Sequence, residues 1–160
     1  QDRLRELRFG LIVREMDMND LVAQVVDCYP GRMVWRGLQH ALPLLVDVEL
    51  LEIALHNLID NAIRHGTLEQ PIEIHLQRVG FELQIVVADH GPGVPDADKD
   101  AIFERFYRSK AGSGSGLGLS IVRSIARLHH GDATVHDNVP HGSVFIIHLP
   151  LTVDAINQTA

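Results

Sequence analysis

Between Val48 and His65 the chain places Leu51, Leu55, Leu58 and Ala62 at intervals of three and four residues, with Asp47 in front as a side chain able to accept from the first free amides. That spacing predicts one long helix with a single apolar face, and such a face must be covered by another layer of structure. Alternating runs follow at Ile72–Leu76 and Phe81–Val87 around Gly80, and again at Ala133–Asp137 and Ser143–Leu149. Each pair predicts an antiparallel hairpin, so the covering layer is expected to be a sheet.

The remaining segments fit that frame. Met16-Asp17-Met18-Asn19-Asp20 supplies capping residues ahead of Leu21, Val22, Val25, Val26 and Tyr29 at helical spacing, and Pro30-Gly31 closes this first helix. Arg32 to Arg36 reads as a short strand, followed by a loop around Pro43. A further helix is expected from Leu117 to His130, closed by Gly131, with Leu117, Leu119, Ile121, Val122, Ile125 and Leu128 on its core side. From Gly91 to Gly116 turn-formers and charges dominate around the apolar knot Ile102–Tyr107, the pattern of a mobile lid. Helices and strands do not alternate strictly. The expected fold is therefore α/β of the α+β kind, a two-layer sandwich with one mixed sheet and the helices on one face.

The domain is placed at residues 16–150, with the charged, weakly helical residues 1–15 as the remnant of a preceding segment and 151–160 as a loose tail. A chain of 160 residues with 46% hydrophobic and 22% charged content can bury one core, and one domain is expected. The net charge of −7 argues against a generic nucleic-acid binder. Cys28 stands alone, so no internal disulfide is possible, and it reads as buried filler. No window approaches eighteen uncharged apolar residues, and the start at Gln1 is neither a signal peptide nor a start methionine, as expected of a piece of a longer protein.

Three constellations carry chemistry. On a helix, Asn57, Asn61 and Arg64 project along one stripe. Two amide oxygens suit a hard cation such as Mg²⁺ and an arginine suits phosphate oxygens, although a solvent-facing polar stripe is the simpler reading of these residues alone. Asp89 ends an apolar strand, where a buried carboxylate needs a donor such as an adenine exocyclic amine. Gly91 and Gly93 behind it permit close backbone approach, and a tight turn with a capping Asp is the plain alternative. Gly114-Ser115-Gly116-Leu117-Gly118 then runs into a helix whose first N–H groups favour an anion. It lacks Gly-Lys-Ser/Thr and the Gly-x-Gly-x-x-Gly fingerprint, which removes the P-loop and dinucleotide readings and leaves a flexible linker as the rival.

In this order and spacing, over about Met18 to Pro150, these pieces resemble the ATP-binding catalytic domain of sensor histidine kinases in the GHKL superfamily, an HATPase_c-like domain of Bergerat type. Asn57–His65 looks like the N box, Asp89–Gly93 the first glycine box, Ile102–Arg108 the F box and Gly114–Gly118 the second glycine box. The resemblance implies that ATP and Mg²⁺ are bound, with Asn57 and Asn61 at the metal and Asp89 at the adenine amine. It further implies Arg64 near the phosphates, Gly91 and Gly93 around the adenine, Phe103 and Phe106 anchoring the lid, and Gly114, Gly116 and Gly118 hinging it beside Leu117. Arg105, Arg108 and Lys110 are lid charges within reach of a triphosphate, or simply solvated. His65 and His90 depart from the aromatic and small polar residues common in the family at those places.

The superfamily's hydrolases carry a water-activating glutamate four residues before the second asparagine, and here that place is Asn57, which cannot take a proton. The resemblance thus implies transfer of the γ-phosphate to a histidine on a separate dimerisation and phosphoacceptor domain, and from there to a response regulator. None of the ten histidines sits in the phosphoacceptor context, so this chain alone is not expected to phosphorylate itself. The implied whole is a homodimeric bacterial inner-membrane kinase with this domain in the cytoplasm, the isolated domain being monomeric. A GHKL ATPase, an anti-sigma-type serine kinase and a degenerate partner-binding domain are the competing readings.

Overall fold

The computed structural model describes residues 10–107 and 118–151. Its elements are β1 (Arg14–Asp17), α1 (Met18–Val26), β2 (Met33–Arg36), β3 (Pro43–Val46), α2 (Val48–His65), β4 (Ile72–Val79) and β5 (Glu82–Ala88). Short 3₁₀ turns at Asp96–Asp98 and Ala101–Phe103 lead on to α3 (Gly118–Leu128), β6 (Asp132–Asp137) and β7 (Ser143–Pro150).

Five strands form one mixed sheet in the order β2-β4-β5-β7-β6, in which β2 runs parallel to β4 and the other neighbours are antiparallel. Alternation decides its faces. Ile72, Ile74 and Leu76 of β4, Leu83, Ile85 and Val87 of β5, and Phe145, Ile147 and Leu149 of β7 are buried in one cluster with the apolar faces of all three helices. Residues between them, such as Glu73, Gln77 and Gln84, lie on the open side. This is the two-layer sandwich expected from the pattern.

The helix at Val48–His65 forms over the range its spacing predicts, and burial explains why. Leu50, Leu51, Ala54, Leu55, Leu58, Ile59 and Ala62 are fully buried, covering about half of its circumference. Asp47 is its N-cap, accepting from Leu50 N–H at 3.2 Å, and its second oxygen accepts from Ile12 N–H at 2.9 Å. The Asp47 amide in turn donates to His129 Nε2 at 3.0 Å, while His129 Nδ1 lies 2.9 Å from the Ile125 carbonyl. A carbonyl only accepts, so Nδ1 carries the proton and the buried ring is a neutral link between the start of α2 and the end of α3.

Three expectations need correction. The segment at Pro43–Val46 is a strand, not a loop: it pairs antiparallel with Arg14–Asp17 in a second, two-stranded sheet, where Arg14 and Glu15 are extended rather than weakly helical. Proline is tolerated there because it begins an outer strand. Cys28 is exposed, because α1 ends at Val26 and the turn that follows rotates the thiol off the apolar face. The final helix begins within the described residues at Gly118 and ends at Leu128, with Val122, Ile125 and Ala126 buried and Leu119, Ile121 and Leu128 packed at the margin.

Tyr29, just beyond α1, bridges to α2 with its hydroxyl 2.6 Å from His56 Nδ1 and 3.2 Å from Asp60 Oδ1. Burial, then the Asp60 charge and hydrogen bond, push its phenol from 10.0 up to about 12. The protonated phenol therefore supports the fold fully below pH 10, and that support is lost as pH rises toward 12. Phenolate absorbance of the native chain should show a step near pH 12 that Tyr29→Phe removes. Asp47→Ala should lower unfolding free energy by about 2–3 kcal/mol in a denaturant titration, since it removes the cap and strands two backbone donors.

Candidate functional site

The site lies where the C-terminal half of α2, the end of β5 and the start of α3 meet. On α2, the apolar residues face the sheet and the neighbouring helices, which leaves Asn57, Asn61 and Arg64 on the remaining stripe, the amides half-buried and the arginine exposed. Gly118 stands beside this stripe, since a Cβ on it would lie 3.8 Å from Asn57 Oδ1. The first residue of α3 is thus next to the Asn57 amide, although the two are distant in sequence. His65 closes the helix, half-buried, and its carbonyl is covered by the chain after β5.

Asp89 follows β5 directly and is 3% exposed. Its Oδ1 accepts from the amides of Gly91 at 2.9 Å and Ser143 at 3.3 Å. Among the described residues its Oδ2 has no hydrogen-bond partner. A buried carboxylate held through one oxygen and open at the other is an acceptor awaiting a donor.

The glycines around it have physical reasons that differ from each other. A Cβ at Gly91 would run into the His65 carbonyl, so glycine here lets the loop close onto the end of α2. Gly93 has φ +81° and faces the Gly142 carbonyl. Gly66 caps α2 through its amide to the Ala62 carbonyl at 2.7 Å, and a Cβ on it would stand 3.6 Å from that of Asp89. The end of α2 and Asp89 are therefore adjacent through small residues.

Sequence reading missed the third wall. The β6–β7 turn folds over Asp89: Asn138 Nδ2 donates to the Asp89 carbonyl at 2.8 Å, the Asp89 amide donates to Ser143 O at 2.9 Å, and His141 Nδ1 lies 3.1 Å from the Gly91 carbonyl. Gly142, at φ +113°, has no room for a Cβ against the Asp89 carbonyl. A glycine between two alternating strands was the available signal, but nothing in the spacing tells which loop such a turn covers.

The segment before α3 separates into two kinds of residue. Phe103 is buried, edge-on to Phe145 at 6.2 Å, with the Arg123 guanidinium 4.3 Å from its ring centre. Arg123 also donates to Asp132 Oδ1 at 3.1 Å and to the Ala133 carbonyl at 3.0 Å, joining α3 to β6. Lys99 pairs with Asp96 and, at 2.9 Å, with Asp137. Phe106, by contrast, is 66% exposed at φ +66°, and exposed Arg105 lies 5.2 Å from its ring centre. Arg108, Lys110, Gly114, Gly116 and Leu117 lie outside the described residues. His90 turns to the open side of the sheet, 3.4 Å from Glu73.

A groove of about 410 Å³ lined by Glu82, Asp132 and His148 is at the other end of β5 and contributes no residue to this site. Among the described residues no three His, Cys, Asp or Glu side chains converge as a metal cluster, so a cation here would rest on amide oxygens and its other ligands. No helix among the described residues is long and apolar enough to cross a membrane.

Comparison with known proteins gives this geometry relatives. Residues 46–153 match the family model described as histidine kinase-, DNA gyrase B- and HSP90-like ATPase. The chain is 34% identical, over 84% of its length, to the signal transduction histidine-protein kinase AfsQ2 of Streptomyces coelicolor, and 39% identical, over 73%, to the sensor-like histidine kinase SenX3 of Mycobacterium tuberculosis. It spans only 26% of the first and 30% of the second. Among solved structures it superposes on the mycobacterial sensor histidine kinase MprB with TM-score 0.76 at 26% identity, covering 87% of this chain and 97% of that one. It superposes on full-length ShkA in complex with AMPPNP with TM-score 0.78 at 26% identity, covering 88% of this chain and 31% of that one.

Gly142→Ala should cost about 2–4 kcal/mol in a denaturant titration, because the new Cβ meets the Asp89 carbonyl in a backbone region that disfavours side chains.

Proposed function

The chain belongs to the histidine kinase-, DNA gyrase B- and HSP90-like ATPase family, and we propose that within it the chain binds ATP with Mg²⁺ and donates the γ-phosphate to a histidine on a separate dimerisation and phosphoacceptor domain. The observation that carries the reading is Asp89, a buried carboxylate whose Oδ1 is held by two amides and whose Oδ2 is left for a ligand. An adenine amine supplies the missing donor, and a hydrogen bond to a charged acceptor contributes about 1.5–3 kcal/mol. Gly91 and Gly93 keep the loop close to that acceptor.

Asn57 and Asn61 offer neutral hard oxygens suited to Mg²⁺, which prefers oxygen donors shared with phosphates, and Arg64 supplies a cation on the same stripe. Bound there, the metal neutralises phosphate charge. The start of α3 at Gly118 adds N–H groups beside Asn57, a setting that favours anionic oxygens. Position 57 holds an amide and not a carboxylate, so the chain has no base there to activate water. Positioning of the phosphate for an external nucleophile is what these residues supply.

The acceptor domain, a response regulator and the dimeric, membrane-anchored context belong to the same proposal. They are supported by the naming of the relatives as sensor kinases of greater length.

Calorimetry tests the binding half. Asn61→Ala should abolish Mg²⁺-dependent nucleotide binding, and unchanged affinity would remove the metal assignment. Asp89→Asn should weaken ATP about tenfold or more while leaving purine riboside triphosphate, which lacks the 6-amino group, nearly unaffected. For the transfer half, the chain with Mg·ATP should label a histidine on an added phosphoacceptor domain from a related kinase and release no phosphate on its own. Steady phosphate release by the chain alone would point to a hydrolase instead.

A further inference from the structure

The rung after β5 is wired unusually. Ala88 pairs with Val144, so Asp89 stands opposite Ser143, where an ordinary antiparallel pair exchanges both N–H···O=C bonds. Half of that exchange is present, from the Asp89 amide to Ser143 O at 2.9 Å. The other half is replaced. The Ser143 amide donates to the Asp89 side chain, Oδ1, at 3.3 Å, and the Asp89 carbonyl is taken by Asn138 Nδ2 at 2.8 Å.

The orientation of the Asn138 amide is not ambiguous. Its Oδ1 accepts from Val139 N–H at 2.8 Å, so the opposite end must be the NH₂ that meets the Asp89 carbonyl. The turn that carries it is itself fixed, by the Asn138 amide to Gly142 O at 3.0 Å and by His141 on the Gly91 carbonyl at 3.1 Å. With Asn138 on the Asp89 carbonyl, the Ser143 N–H is directed to the carboxylate instead. Two amides then clamp Oδ1, which leaves Oδ2 pointing in one direction.

We propose that Asn138 is a positioning residue for base selection, holding the backbone of Asp89 so that its free carboxylate oxygen is preset for the exocyclic amine of the nucleotide. This deepens the reading of Asp89 as the adenine acceptor and rests on it. In this role Asn138 acts through Asp89. Without its NH₂, the Asp89 carbonyl reclaims the Ser143 amide, the rung becomes an ordinary one, and the carboxylate is held by Gly91 alone.

Asn138→Asp tests this with a change of one atom, placing an oxygen against the Asp89 carbonyl, and Asn138→Ala serves as the second variant. For each, affinities for ATP and for purine riboside triphosphate are measured by calorimetry on the whole chain with Mg²⁺. The ratio of the two should fall about tenfold in both variants. A general loss of stability lowers both affinities together and leaves the ratio in place. An unchanged ratio in either folded variant overturns the role of Asn138, provided Asp89→Asn lowers the ratio. If Asp89→Asn itself leaves the ratio intact, the adenine role of Asp89 fails and this inference fails with it.

Discussion

The site depends on a hydrogen bond far from it, between the Asp47 amide and His129 Nε2. It fastens the first residue before α2 to the first residue after α3, so the two helices run antiparallel from a common end. At about 1.5 Å of rise per residue, Asn57 is about 15 Å along α2 from Asp47, and Gly118 is about 16 Å along α3 from His129. These lengths match, and Gly118 accordingly arrives beside Asn57. A buried imidazole with both nitrogens engaged resists sliding, because displacement by one residue would leave buried polar atoms unpaired.

The second anchor is the open end of the sheet. Strand β5 is central, covered by helices on one face, and it delivers Asp89 at the point where its neighbours stop. The carboxylate then has the end of α2 on one side through Gly66 and Gly91, and the β6–β7 turn on the other. Two close approaches, of Gly91 to the His65 carbonyl and of Gly142 to the Asp89 carbonyl, leave no space for a Cβ. Small residues here are a packing requirement of one junction, and the junction is what turns a strand-terminal aspartate into a preset acceptor.

Much of this was legible along the chain. Spacing of Leu51, Leu55, Leu58 and Ala62 marks α2 and alternation marks both hairpins, because each element buries one face and the period of burial is written into its own residues. Pro43–Val46 and Cys28 were misjudged for the converse reason. A strand of four residues that begins with proline carries too little alternation to announce itself, and its partner, Arg14–Asp17, lies in a stretch of charges. Phe103 and Phe106 are alike by type, yet Phe103 is buried and Phe106, at φ +66°, is exposed.

By itself the sequence determined which residue types stand at which helical and strand positions, and with them the two-layer architecture and the motif order of the family. Those are local properties, readable wherever burial has a period. Tertiary structure decided which loops meet. That the turn at residues 138–143 clamps Asp89, that Gly91 and Gly66 join it to the end of α2, and that His129 sets where Gly118 falls are contacts between segments far apart in the chain. No periodicity encodes such contacts, because each depends on the joint placement of several elements and on hydrogen bonds that exist only once those elements are packed.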